Sequence, residues 1–239
     1  MSIPKIDVSK VKHGIVCFTF DDSRYSNWLA QQELFAKYHA HATFFFDGMV
    51  SDEMLAAMRR LCANGHSIGL HSLSHEAAPP VFEANGGDAY LRQQVFPQLD
   101  VCRKAGMPIH SFAYPNNRRN EETDRALAPY FHRFRAGLGM ELPKGYRIAE
   151  QDAAFHSLDN LAATAVLRGN GIGDYYAATT ENLDAALERA ARENMLVVFF
   201  SHGISADATG VHMKTALLEH CLEKASALGM MISGVDELP

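Results

Sequence analysis

Short apolar runs separated by longer amphipathic segments recur along the whole chain, and this alternation limits the fold more than any other feature. Ile15 to Phe20, Ala42 to Phe46, Ser67 to Leu70, Ser111 to Tyr114 and Met195 to Phe200 read as strands, rich in β-branched and aromatic residues. Helical patterns fill the intervals. One carries Trp28, Leu29, Gln32, Phe35 and Tyr38 on one side. The next runs from Ser51 to Ala63, with Ser51 as N-cap and Asn64-Gly65 as the stop. Strands that are apolar throughout, rather than alternating, belong to a parallel sheet covered on its faces by helices. A barrel and a doubly wound sheet both satisfy this pattern, and in both the functional residues gather at the C-terminal ends of strands.

Further helices are expected over Ala89 to Ala105, Glu121 to Tyr130, Glu181 to Arg192 and a last segment carrying Leu217 to Leu228. Pro79-Pro80 and Gly86-Gly87 read as a loop. The stretch from Phe131 to Gly173 holds two or three short strands, with Ala162 to Leu167 the best of them, and Met230 to Val235 closes the chain. At 239 residues, with no linker-like or low-complexity stretch, residues 1–239 are expected to form one domain. A net charge of −6 without a clustered basic surface excludes a nucleic-acid partner. The four cysteines stand far apart within apolar runs and read as reduced, buried thiols. No segment has the apolar length of a membrane span or a leader, so the expectation is a cytoplasmic chain with no membrane partner.

The chemistry-bearing residues sit where strands end. Asp21-Asp22 closes the first strand, His71 the third, Tyr114-Pro115 the fourth and His202 the late apolar one. His71 and His75 form an H-x3-H pair, but with 12 histidines chance supplies about 0.6 such pairs, so the spacing alone decides little. Their placement on a common rim carries more. Two adjacent carboxylates after six apolar or hydroxyl residues are costly without a counter-charge, which a divalent cation supplies. One aspartate and two histidines leave a coordination position open for water, the arrangement of catalytic rather than structural zinc. The second carboxylate is then free to act as a base.

These residues also resemble a known family. Thr19-Phe20-Asp21-Asp22 is similar to the T-F-D-D motif of the polysaccharide deacetylases (carbohydrate esterase family 4, the chitooligosaccharide deacetylase-like domain). His71-Ser72-Leu73-Ser74-His75 resembles its H-S/T-x-x-H motif, Ala42 to Phe46 its A-T-F-F strand, and Phe112-Ala113-Tyr114-Pro115 an F-A-Y-P version of its third motif. Phe200-Ser201-His202 is similar to the late L-x-H motif. The resemblance implies an α/β fold, a distorted, incomplete (β/α) barrel. It implies Asp22, His71 and His75 as metal ligands, with zinc the default ion and cobalt, nickel or iron tolerated by such a set. Asp21 becomes the base for the attacking water and His202 the acid that protonates the leaving group. Tyr114, Pro115 and Asn116 border the substrate, the Asn116 N–H facing the oxyanion.

The chain departs from the family pattern in several places. Ser23 stands where glycine follows T-F-D-D. Ala113 and Asn117 stand where the third motif has arginine, which orients the base, and glycine. The fourth-motif tryptophan and aspartate have no counterpart, Trp28 being the only tryptophan. His156, Asp159 and Arg168 are the candidates to orient Asp21 instead. The expected activity is metal-dependent removal of an N-acetyl group from an amino sugar or oligosaccharide. O-acetyl ester hydrolysis, and deformylation or hydrolysis of another small linear amide, use the same machinery. A degenerate carbohydrate-binding member without turnover is the alternative of another class.

Overall fold

The computed structural model describes residues 3–139 and 141–239; Met1, Ser2 and Met140, which the expected domain span includes, lie outside the described residues. The first strand, β1 (Ile15–Phe20), is followed by α1 (Tyr25–Leu29) and α2 (Gln32–Lys37), then β2 (Thr43–Phe46), α3 (Asp52–Ala63) and β3 (Ser67–Leu70). Two short helices, α4 (Ala78–Asn85) and α5 (Gly87–Tyr90), run through a π-turn at Leu91–Val95 into α6 (Phe96–Lys104). The rest comprises β4 (Ser111–Ala113), α7 (Glu121–Leu127), β5 (Arg133–Ala136), β6 (Phe155–Ser157), β7 (Val166–Gly171), α8 (Thr180–Glu193) and β8 (Met195–Ser201). It ends with β9 (Ile204–Ser205), β10 (Met213–Lys214), α9 (Thr215–Ala227) and β11 (Met231–Ile232).

Seven parallel strands, in the order β1-β2-β3-β4-β5-β7-β8, close into a barrel where β8 pairs with β1 along its full length, from Ile15 opposite Leu196 to Phe20 opposite Ser201. One strand fewer than the complete eight leaves a distorted ring. The distortion has two visible places. β1 meets β2 only at Thr19 and Phe20, and at the other end β11 pairs with Ile15 and Val16 and fills the widening gap. Likewise β7 meets β8 only from Gly169 onward, while β6 pairs antiparallel with Met195 to Val197. Each splayed seam is patched by a short strand, so few ladder groups are orphaned.

Because side chains alternate across a strand, β1 sends Val16, Phe18 and Phe20 outward to the helices and Ile15 and Cys17 inward. The inner layer is completed by Phe45, Ala113, Leu167, Leu196 and Val198, and its floor by Val11, Leu158, Leu161, Val235 and Leu238. Gly69 is required there: a Cβ on it would come within 2.4 Å of the Phe45 ring and 2.7 Å of the Ser111 carbonyl. The thiols are free; Cys17, Cys102 and Cys221 are buried as expected and Cys62 only partly so. Burial pushes Cys17 and Cys221 up to about 12 and Cys62 and Cys102 up to about 11, away from the thiolate form.

Several expected elements differ in detail. Pro79-Pro80 is no loop but opens α4, since proline at the first helical positions lacks only an N–H that has no partner there. The helix expected from Trp28 to Tyr38 breaks into α1 and α2. That expected over Ala89 to Ala105 is interrupted by the π-turn ahead of Pro97. Of the strand expected over Ala162 to Leu167, Ala162 and Ala163 end a 3-10 segment (Leu158–Ala163) and only Val166 and Leu167 fall in the strand, which lies further on at Val166–Gly171. Its glycines hide it from a β-propensity reading.

Candidate active site

Backbone strain concentrates at one end of the barrel. Among the described non-glycine residues, Asp22, Ser23, Ser72, His75, Asn116 and Asn117 all have left-handed φ between 50° and 70°, and all follow β1, β3 or β4. Such conformations persist where surrounding structure over-determines them. At Ser23 the compensation is visible: its hydroxyl donates to the Asp47 carbonyl at 2.7 Å and accepts from the Asp47 N–H at 3.0 Å.

The turns aim four side chains at one point. Asp22 Oδ1 lies 3.6 Å from both His71 Nε2 and His75 Nε2, and Asp22 Oδ2 lies 3.5 Å from His202 Nε2. One donor atom each from Asp22, His71 and His75 falls within 4.8 Å of the others, a spacing that one ion can bridge. Two observations fit these residues to a divalent cation. Asp22 Oδ1 is buried without a hydrogen-bond partner, a state that costs free energy unless a cation meets it. His71 Nδ1 bonds the Ala113 carbonyl at 2.8 Å, which fixes its proton there and leaves Nε2 as a lone pair facing Asp22. Burial lowers the His71 pKa, so the ring is held neutral, as a ligand must be.

Asp21 is almost fully buried and directs Oδ2 toward His71 Nε2 at 3.9 Å. Its principal partner is Arg135 of β5, whose Nη2 bonds Oδ2 directly. Burial works to raise the Asp21 pKa, but the charge of Arg135, aided by His71 and His202, outweighs it and holds the carboxyl below the ordinary range. The other Arg135 Nη bonds the Asn117 side chain, and the guanidinium lies 4.8 Å from the Phe200 ring centroid. Gly169 leaves room for both, since a Cβ would come within 3.1 Å of Phe200 and 3.3 Å of the Arg135 chain.

His202 follows β8. Its Nδ1 bonds the Val211 carbonyl at 3.0 Å, and its own carbonyl accepts from Trp28 Nε1 at 2.8 Å. The lone tryptophan therefore holds the His202 backbone from beneath. Asp21, His71, His75, Arg135 and His202 line a cavity of about 230 Å³ together with Asn116, Asn117, Tyr175, Tyr176 and Phe200. Tyr114 and Asn116 border it, but the Tyr114 hydroxyl is given to Asp124 at 2.7 Å and its ring to Phe112 and Phe134. Pro115 is buried and starts the turn that presents Asn116.

A family profile described as polysaccharide deacetylase matches residues 9–131. The chain belongs to the polysaccharide deacetylase family. Solved structures agree in fold. A family 4 acetyl xylan esterase from Clostridium thermocellum, in complex with a cobalt ion, is 20% identical with a TM-score of 0.57, over 94% of this chain and 93% of its own. The Xyl-CE4 domain of a multidomain xylanase from the hindgut metagenome of Trinervitermes trinervoides is 17% identical with a TM-score of 0.55, over 94% and 89%. A family 4 pseudoenzyme from Bacillus anthracis is 15% identical with a TM-score of 0.60, over 95% and 66%. No curated protein sequence matches the chain.

Within this family the two third-motif departures, Ala113 and Asn117, acquire a common explanation. Ala113, where the third motif has arginine, is the register partner of Arg135 on the next strand. The guanidinium reaches Asp21 from β5 instead of β4. Asn117, where that motif has glycine, keeps the left-handed φ of 57° and accepts from Arg135. Asparagine tolerates this conformation better than most residues. The residues expected to orient Asp21 are not the ones that do. Arg168 bonds the Leu138 carbonyl, His156 accepts from the Arg168 N–H, and Asp159 lies on the 3-10 segment Leu158–Ala163, beside the barrel floor. The available signal for Arg135 was Arg133-Phe134-Arg135, two arginines in phase on a strand with an apolar residue between them.

Proposed function

We propose that the chain is a metal-dependent deacetylase that hydrolyses the N-acetyl group of an amino sugar or oligosaccharide. Asp22, His71 and His75 would hold one divalent cation, with zinc the default. A cation bound there would polarise the acyl carbonyl and acidify water at neutral pH. Asp21 takes the proton of the attacking water as that oxygen bonds the carbonyl carbon, and Arg135 keeps Asp21 ionised for the task. The Asn116 N–H would meet charge developing on the carbonyl oxygen. As the carbon–nitrogen bond breaks, His202 delivers a proton from Nε2 to the departing nitrogen, so that acetate and a free amine leave.

The observation that carries this reading is the Arg135–Asp21 pair beside the ligand triad. A binder without turnover has no need to keep a second buried carboxylate ionised at considerable desolvation cost. That argument weighs against a degenerate role, although the fold is shared with a Bacillus anthracis pseudoenzyme. O-acetyl ester hydrolysis is the second reading, favoured by likeness to a family member named as an acetyl xylan esterase.

The test is release of acetate from N-acetylated amino-sugar oligomers and O-acetylated xylan, and of formate from small formylated amides, with chelator and after zinc or cobalt is restored. Release from amino sugars, lost with chelator and regained with metal, is expected. Tight metal binding without release from any acetylated sugar would overturn the proposal.

A further inference from the structure

The loop that carries both candidate histidines is held from outside itself. Between His71 and His75 the backbone is left-handed at Ser72 (φ 66°), and it is left-handed again at His75 (φ 56°), so local preference does not sustain it. Three of the fixing bonds come from one residue of a distant element. The Gln94 carbonyl accepts from the Leu73 N–H at 2.9 Å. Gln94 Oε1 accepts from both the Ser74 N–H at 3.0 Å and the Ser74 hydroxyl at 2.9 Å. Gln94 is buried.

A regular helix would not present that carbonyl. Gln94 lies in the π-turn Leu91–Val95, where the Phe96 N–H reaches back five residues to the Leu91 carbonyl. The cause is in the sequence: Pro97 has no N–H to give the Gln93 carbonyl and cannot continue the α-helical ladder. The turn widens and the Gln94 carbonyl is aimed sideways at Leu73. One turn further on, the Gln98 amide donates to the carbonyls of Phe46 at 3.2 Å and Gly48 at 2.7 Å. The Gly48 N–H donates in turn to the Ser72 carbonyl at 3.3 Å. One face of this helix therefore braces the loops after both β2 and β3.

We propose that Gln94 is a positioning residue that sets the affinity of the His71–His75 pair for its divalent cation. It touches neither the cation nor the substrate, and it acts by holding Leu73 and Ser74 so that both Nε2 atoms converge on Asp22. The inference rests on the reading of Asp22, His71 and His75 as a metal site.

The experiment measures zinc affinity of the folded chain by competition with a chromophoric chelator, alongside urea unfolding of the metal-free form. Gln94→Met keeps the volume and removes the side-chain acceptor. It should weaken zinc binding roughly 10- to 100-fold, the cost usual for losing a group that orients a ligand. Gln94→Glu retains an acceptor oxygen and should recover most of that affinity. Leu99→Ala, in the buried face of the same helix, should destabilise the fold yet bind zinc as the parent does. Should Gln94→Met fail to fold, Gln94→Asn, too short to reach Ser74, should show the same loss. Parent-like zinc affinity in Gln94→Met, or an equal loss in Leu99→Ala, overturns the role of Gln94 alone. Failure of the parent to bind zinc overturns the site reading and this inference with it.

Discussion

Replacing Arg135 by methionine leaves the Asp21 carboxylate buried with its main counter-charge gone. Both side chains are nearly inaccessible, at 2% and 4% exposure, so water does not screen the loss. Breaking a buried pair from one side costs about 3–5 kcal/mol, a large part of the roughly 5–15 kcal/mol that holds a domain together. The direction for catalysis follows from the same balance. Burial is the largest influence on Asp21 and raises its pKa, while Arg135 is the largest one lowering it. With Arg135 removed the Asp21 pKa rises, the base is protonated over more of the acid range, and the acidic limb of kcat/KM moves to higher pH. Urea unfolding and the pH profile of acetate release are the assays. Asp21→Asn combined with Arg135→Met should regain most of the lost stability, because no uncompensated charge remains. Moving the cation back one strand, with Ala113→Arg and Arg135→Ala together, should restore part of the rate. An unchanged acidic limb and a stability loss under about 1 kcal/mol in Arg135→Met would refute the pairing argument, since that is what an exposed ion pair gives.

Two further outcomes follow from the barrel. His202→Ala should slow hydrolysis of acetamides far more than that of activated acetyl esters, whose leaving groups need little protonation; equal losses on both would assign His202 to positioning. At the barrel floor, burial pushes Asp236 up to about 7 against the nearby Ser111, Lys5 and Arg133, with Glu237 adding to the rise. Its folded-state pKa is raised, so the native chain holds a proton that the unfolded chain releases, and stability should fall as pH rises from about 4 to about 7 and then level. Asp236→Asn should remove that slope and stabilise the chain at pH 8 by on the order of 2–4 kcal/mol. Identical urea midpoints at pH 5 and pH 8 in the parent would contradict this.

Most of the candidate site residues were legible in the sequence because strand ends are local features: an apolar run stops, and a polar residue stands at its edge. Asp21, Asp22, His71 and His202 all follow that rule. Arg135 was not legible, because its role depends on the pairing of β4 with β5, and no local pattern states which residue faces Ala113. A motif read along one strand misses a group supplied by its neighbour. The same limit hid the two patched seams, since β6 and β11 are defined by the gaps they fill more than by their own three and two residues. Gln94 was hidden for a different reason. Helical periodicity runs smoothly through Leu91–Val95, and only the geometry ahead of Pro97 turns a carbonyl toward the loop between His71 and His75.

The division of labour between two adjacent carboxylates is the centre of the account, and zinc stoichiometry with acetate release in Asp22→Asn and Asp21→Asn tests it most directly. Asp22→Asn should lose tightly bound zinc and turnover together, whereas Asp21→Asn should keep one zinc per chain and lose turnover. Parent-like zinc binding in Asp22→Asn, or full activity in Asp21→Asn, would contradict it.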